Sequence, residues 1–180
     1  MEKQLFIGGF GGQGVMLIAK MLGKASASEG RDCTFFPEYE PAMRGGSSFA
    51  TVITSDEPVH SVVLPSVEYM CVLDNRTFQQ QMHRVRRGGI VLINSDLISE
   101  KYNNDDVKSV YVPMISIAEE LGNERLQNVV MLGAIWAATH MCGKEALIKE
   151  IEKTFASKAH LIELNIKAFE RGAETAASQL

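Results

Sequence analysis

With 180 residues, 46% of them hydrophobic and 22% charged, the chain is long enough for one sizeable core and short for two, so a single domain over residues 1–180 is expected. Its net charge of −4, with acids and bases intermixed, carries neither the basic footprint of a nucleic-acid binder nor a patch suited to an anionic membrane, and it points to a small ligand or protein partners. Cys33, Cys71 and Cys142 are widely separated, match no metal or iron–sulfur spacing and read as buried free thiols of a reducing cytosol. Met1-Glu2-Lys3-Gln4 lacks the basic and apolar segments of a leader, and the longest apolar run, Val129 to Ala138, is too short for a bilayer. A cytoplasmic protein with no membrane span and no nucleic-acid partner is therefore expected.

The first strand is predicted at Gln4 to Gly8, and a helix over Val15 to Glu29 with Val15, Ile18, Ala19 and Leu22 on one face. Between them lies Gly8-Gly9-Phe10-Gly11-Gly12-Gln13-Gly14. Read as Gly9-x-Gly11-x-x-Gly14, it fits a strand-to-helix phosphate turn: glycines allow close backbone approach, and the helix start presents unpaired N–H groups to an anion. The same glycines would also serve a turn that only lets the helix pack tightly on the strand.

Gly30 stops that helix, and Cys33 to Phe36 reads as a second strand ended by Pro37, completing a strand–helix–strand unit of the size a parallel crossover needs. A loop follows over Pro37 to Gly46. Ser47 to Thr54 resumes β character, and after the turn at Asp56-Glu57-Pro58 a second run, Val59 to Leu64, is expected to pair back as a hairpin, giving the sheet antiparallel pairing here. Tyr69 to Leu73 is a buried strand, Arg76 to Arg86 an amphipathic helix, Ile90 to Ile93 a further buried strand introduced by Gly88-Gly89, and Val107 to Val112 another. Helices are predicted at Ile115 to Leu121, at Asn128 to Cys142 (apolar on almost every side and ended by Gly143), at Lys144 to Phe155 and at Ser157 to Ala177, with the last residues frayed. The fold class is α/β: a Rossmann-like, mixed but mostly parallel sheet flanked by helices, with a helical C-terminal third.

No catalytic residue or metal ligand set stands out. His60, His83, His140 and His160 follow no ligand spacing, and Ser47 and Ser48 lack a G-x-S-x-G elbow. Arg44 is singled out because a guanidinium beside Gly45 and Gly46 reaches a phosphate or carboxylate bidentately while backbone N–H groups add donors; an inter-subunit ion pair is the other use. If the first two strands are parallel, the glycine turn and the Arg44 loop emerge together at the carboxyl ends of the strands, where open α/β sheets bind ligands. A nicotinamide dehydrogenase wants a carboxylate at the tip of the second strand; Glu38, 24 residues past Gly14, is near that place, but no substrate domain with an acid–base residue follows.

Gly9-Phe10-Gly11-Gly12-Gln13-Gly14, Tyr39-Glu40-Pro41-Ala42-Met43-Arg44-Gly45-Gly46, Val52-Ile53-Thr54-Ser55-Asp56-Glu57-Pro58-Val59 and Asn128-Val129-Val130-Met131-Leu132-Gly133-Ala134 stand in an order and at separations that span nearly the whole chain. With this set the chain resembles the gamma subunit of 2-oxoacid:ferredoxin (or other acceptor) oxidoreductases. The Tyr-x-Pro-x-Met-Arg-Gly-Gly loop looks most like the 2-oxoglutarate type, with Glu40 where a glycine is common and Ala42 where a glutamate is common. The resemblance implies a multi-subunit enzyme that decarboxylates a 2-oxoacid, passes electrons to ferredoxin or another acceptor and transfers the acyl group to coenzyme A. Thiamine diphosphate, Mg and iron–sulfur clusters would lie in the alpha, beta and, where present, delta subunits. This chain would be inactive alone, would help enclose the coenzyme A side of the site, and when isolated could dimerise through faces normally covered. Gly9, Gly11, Gly12, Gln13 and Gly14 would meet the pyrophosphate, and Arg44, Gly45 and Gly46 would approach the same ligand. A non-catalytic structural subunit and a freestanding nucleotide-binding oxidoreductase are the other readings.

Overall fold

The runs Leu5-Phe6-Ile7, Met70-Cys71-Val72 and Val91-Leu92-Ile93 are buried on both faces, which is how strands flanked by two layers are composed. In the computed structural model, which describes residues 1–40 and 46–180, they are the centre of a six-stranded sheet. The elements in chain order are β1 (Lys3–Phe10), α1 (Val15–Ser28), β2 (Asp32–Tyr39), β3 (Ser47–Ser55), β4 (Val67–Val72), α2 (Asn75–Gln81), β5 (Val85–Asn94), β6 (Lys108–Val112), α3 (Met114–Glu120), α4 (Gln127–Thr139), α5 (Lys144–Thr154) and α6 (Ile162–Ala177). The sheet order is β2-β3-β1-β4-β5-β6. Pairing is parallel from β1 through β4 and β5 to β6, whereas β3 is antiparallel to both of its neighbours.

Alternate residues feed two cores. Leu5, Ile7, Val52, Cys71, Leu92 and Val110 join the apolar faces of α1 and α3 to α6, while Phe6, Phe49, Met70, Val72, Val91 and Ile93 join Phe78 and Met82 on the other side. Helix α4 is the centre of the larger core, with ten of its thirteen residues buried, which explains its lack of a polar face. It touches α6 backbone to backbone: a Cβ on Gly133 would run into the Phe169 carbonyl, and one on Gly172 into that of Val130.

Several expectations from the sequence are corrected. The hairpin is formed by β2 and β3, with Asp32 opposite Ser55 and Tyr39 opposite Ser48, and Val59 to Leu64 is not a strand. Both edges of β3 are occupied, by β2 and β1, so no ladder remains for that run. Pro37 does not end β2 but lies inside it, opposite Ala50; β2 is an edge strand, where a missing N–H on the open side costs no ladder bond. The helix expected to reach Arg86 ends at Gln81, with a 3-10 turn over Met82–Arg84, because Val85 already pairs with Val67 in the sheet. Helix α4 is ended by His140 at φ 46°, while Gly143 is the N-cap of α5. The C-terminus is anchored: the Gln179 side chain accepts from Tyr111 N–H (2.9 Å) and donates to Tyr111 O (2.8 Å), occupying the open edge of β6 as a neighbouring strand would.

Candidate functional site

The glycine turn leaves the carboxyl end of β1 as a tight, self-bonded bend. Gly11 N–H donates to Gly46 O (3.2 Å) and Gln13 N–H to Phe10 O (3.2 Å). Gly12 has φ +100° and Gly14 φ +86°, conformations that L side chains rarely adopt. Gly14 is the N-cap of α1, and its carbonyl accepts from Ile18 N–H (3.0 Å). Among the described residues no side chain caps this helix, its first turn holds no acid, and the amides of Val15, Met16 and Leu17 have no intrahelical partner. Three donors without an intrahelical partner at the positive end of a 14-residue helix, next to backbone that favours glycine, is a disposition that favours an anion.

The Gln13 side chain braces the turn. Its Oε1 accepts from Phe10 N–H (2.7 Å) and its Nε2 donates to Leu73 O (3.2 Å), so both amide atoms are engaged in holding the turn against the end of β4. Leu73 O also accepts from Asn94 Nδ2 (3.1 Å), Asp96 N–H donates to Asn94 Oδ1 (3.3 Å), and the Asp96 carboxylate accepts from Ile115 N–H, Ser116 N–H and the Ser116 hydroxyl. One hydrogen-bonded line thus runs along the carboxyl edge of the sheet from the glycine turn to the start of α3. Gly9 is a packing glycine: a Cβ there would stand 2.6 Å from Gln13 Oε1 and 2.9 Å from Leu73 Cβ.

Two groups beside the turn went unrecognised as site residues. Asn128, in the first turn of α4, is packed against Gly14, where an added Cβ would lie 2.6 Å from Asn128 Cβ and 2.7 Å from its Nδ2; its Oδ1 is enclosed without a partner among the described residues. The available signal was an amide opening a wholly apolar helix. Ser47, opposite Phe10 and 1% exposed, likewise has an Oγ without a partner among the described residues.

Gly46 lies beside Gly11, as its carbonyl bond shows, whereas Arg44 and Gly45 lie outside the described residues. Since β2 reaches β1 through two antiparallel steps, it runs in the same direction as β1, and the loop after it returns to the glycine turn although the two strands are not adjacent. Glu38 is exposed on β2 with β3 between it and β1, at two strand spacings or about 10 Å, so it does not meet the turn as a ribose-binding acid would. Glu40, where a glycine is common in the resembled family, is paired with Arg76 at 2.9 Å. Desolvation pushes the half-buried Cys33 thiol up to about 11, with Asp32 adding to it, and the buried Cys142 thiol up to about 12, with Glu29 adding to it. Burial raises the Cys71 thiol as well. All three remain protonated near neutrality, unlike activated nucleophiles.

The chain folds as an open, mostly parallel α/β sheet with a glycine turn at the carboxyl end of its first strand, the edge at which sheets of this class commonly bind ligands. The chain belongs to the pyruvate ferredoxin/flavodoxin oxidoreductase family, whose model matches residues 4–175. It is 35% identical, over 97% of its length, to ketoisovalerate oxidoreductase subunit VorA of Methanothermobacter thermautotrophicus, but spans only 36% of that protein. To 2-oxoglutarate synthase subunit KorC of Methanocaldococcus jannaschii it is 32% identical over 98% of its length and 95% of the relative's. Among solved structures, the gamma subunit of a keto/oxoacid ferredoxin oxidoreductase from Geobacter sulfurreducens superposes with a TM-score of 0.88 at 28% identity, covering 99% of this chain and 98% of that one. A 2-oxoglutarate:ferredoxin oxidoreductase from Magnetococcus marinus, solved with 2-oxoglutarate, coenzyme A and succinyl-CoA, shares the fold at a TM-score of 0.91 and 19% identity over 32% of its chain.

Proposed function

We propose that the chain is the gamma subunit of a multi-subunit 2-oxoacid oxidoreductase, of the 2-oxoglutarate type, and that its glycine turn receives the pyrophosphate of coenzyme A. The carrying observation is the uncapped start of α1, with Gly12 and Gly14 at positive φ and the Gly46 backbone alongside. The near-complete coverage of a KorC subunit supports the 2-oxoglutarate assignment, as does the Tyr39-to-Gly46 motif. Among the described residues no group of three His, Cys, Asp or Glu side chains is placed to hold a metal ion, and the cysteines are protonated. The family resemblance carries the further proposal that thiamine diphosphate, Mg and iron–sulfur clusters lie in the alpha, beta and delta partners, which also supply the route to ferredoxin.

In this role the chain binds and orients. Backbone amides of the turn and of the first residues of α1 take the pyrophosphate oxygens, and Arg44 and the Gly45-Gly46 backbone close on the same group. The test is calorimetric titration of the assembled complex with coenzyme A: Arg44→Ala and Gly12→Val are each expected to weaken affinity about tenfold or more. Unchanged affinity in a complex of normal composition overturns the binding role and leaves a structural subunit.

A further inference from the structure

Helices α4 and α6 run parallel. Leu126, just before α4, lines one cavity with Leu161 and Asn165; Gly133 abuts Phe169 and Ala173; and His140, just past α4, lines another cavity with Ala177. The direction of α4 is set at both ends. Its first turn touches Gly14 through Asn128, whereas the carbonyls of Thr139 and His140 accept from Lys3 Nζ (2.7 and 2.9 Å) at the beginning of β1. The starts of α1, α4 and α6 therefore share the carboxyl edge of the sheet.

A cavity of about 460 Å³ lies between the segments that lead into α4 and α6, and Arg125, Lys158 and His160 are its titratable lining. No acid lines it, and among the described residues no carboxylate is within ion-pair distance of any of the three. The neighbouring acids are otherwise disposed: Glu124 is exposed outside the lining, and Glu163 is held by Lys167 at 2.8 Å. Asn123 and the 2% exposed Asn165 add polar walls. Leu126, on the cavity wall, is only two residues from Asn128 at the glycine turn, so the two anion-favouring places lie within the span of one nucleotide.

We infer that this cavity takes a phosphate monoester, the second anionic group of the ligand whose pyrophosphate the glycine turn receives. Two cations without an acidic partner among the described residues, Arg125 and Lys158, make charge-assisted bonds to a doubly charged phosphate, the His160 imidazole adds a ring N–H donor, and Arg125 supplies the planar fork that binds two of its oxygens at once. The inference rests on the coenzyme A reading. It assigns the terminal 3′-phosphate of that ligand to Arg125, Lys158 and His160, and thereby makes the site discriminate between coenzyme A and its dephospho form.

The assembled complex is titrated with coenzyme A and with dephospho-coenzyme A, using the unaltered gamma subunit and the pair Arg125→Gln/Lys158→Gln. The expected result is about a tenfold or larger preference for coenzyme A in the parent and its near disappearance in the variant, with affinity for dephospho-coenzyme A unchanged. Absence of a preference in the parent, or an equal loss of both ligands in the variant, overturns the inference while leaving the glycine turn's role intact. If the parent binds neither ligand, the coenzyme A reading itself has failed, and the cavity is judged by titrating the isolated chain with inorganic phosphate while following the His160 imidazole by NMR. A saturable shift lost in Arg125→Gln/Lys158→Gln supports a phosphate site; no saturable shift overturns it. The three side chains are exposed, so circular dichroism of the variant is expected to match the parent.

Discussion

Gly14→Ala separates two costs that the turn combines. The first is conformational: at φ +86° an L residue pays roughly 1–2 kcal/mol. The second is steric, because the new Cβ stands 2.6 Å from Asn128 Cβ, and reaching ordinary contact at 3.4 Å requires a parting of about 0.8 Å between α1 and the first turn of α4. Overpacking of this kind costs about 1–3 kcal/mol, so the total loss is about 2–5 kcal/mol. At an m-value of about 2 kcal/mol/M, the urea midpoint of the isolated chain falls by about 1–2.5 M. The geometry also dictates which partner change relieves the clash. Asn128→Ala removes the Nδ2 that lies 2.7 Å from the new Cβ but keeps the Cβ at 2.6 Å and is expected to recover only part of the loss, whereas Asn128→Gly removes both and is expected to recover about 1–3 kcal/mol in a double-mutant cycle. Gly12→Ala, at φ +100° with nothing within 4 Å among the described residues, is expected to carry the conformational cost and to show no coupling to either change. Equal rescue by the two Asn128 variants, or a loss under 1 kcal/mol for Gly14→Ala, would refute the packing of α4 against the turn.

Gln13→Leu keeps the bulk of the side chain but removes both bonds that hold the turn; a loss of about 1–2 kcal/mol is expected by urea denaturation, with faster hydrogen exchange at Phe10 N–H, and an unchanged exchange rate there would show that Gln13 does not brace the turn. The thiols predict a pH dependence in the alkaline range. Because folding raises Cys33 and Cys142 from 9.0 to about 11 and about 12, their contribution to stability is complete below pH 9 and declines as pH rises through 9 toward 11 to 12, where the unfolded chain has already released its protons. Alanine in place of both cysteines is expected to reduce the slope of that part of the stability profile, leaving the contribution of Cys71, and a slope unaffected by the substitutions would assign it to other groups.

What could be seen in the residues, and what could not, divides along a physical line. The central strands were legible because burial on both faces demands a continuous apolar run, and α4 because a helix inside the core has no need of a polar side. The place of β3 was not, since Val59 to Leu64 has the composition of a strand and only the occupation of both β3 edges denies it a partner. Pro37 misled for the same reason: its missing N–H is a defect in a central ladder and none on an edge, and edge position is a property of the whole sheet. The glycine turn was legible as a turn, but the use of Gln13 was not, because its two bonds depend on where Leu73 arrives from sixty residues away.

The insertion of β3 also bears on what the turn can bind. Two antiparallel steps bring β2 back into the direction of β1, so the loop that follows it still returns to the carboxyl edge, as the bond from Gly11 to Gly46 records. The same insertion moves the tip of β2 one strand away, and with it the acid that a dinucleotide's ribose would require. What remains at the edge is a set of backbone donors at α1, the Gly46 carbonyl bonded to the turn and a cationic cavity at the starts of α4 and α6. Backbone donors beside a separate cluster of cations suit a ligand with a pyrophosphate and a further phosphate better than one recognised through its ribose hydroxyls.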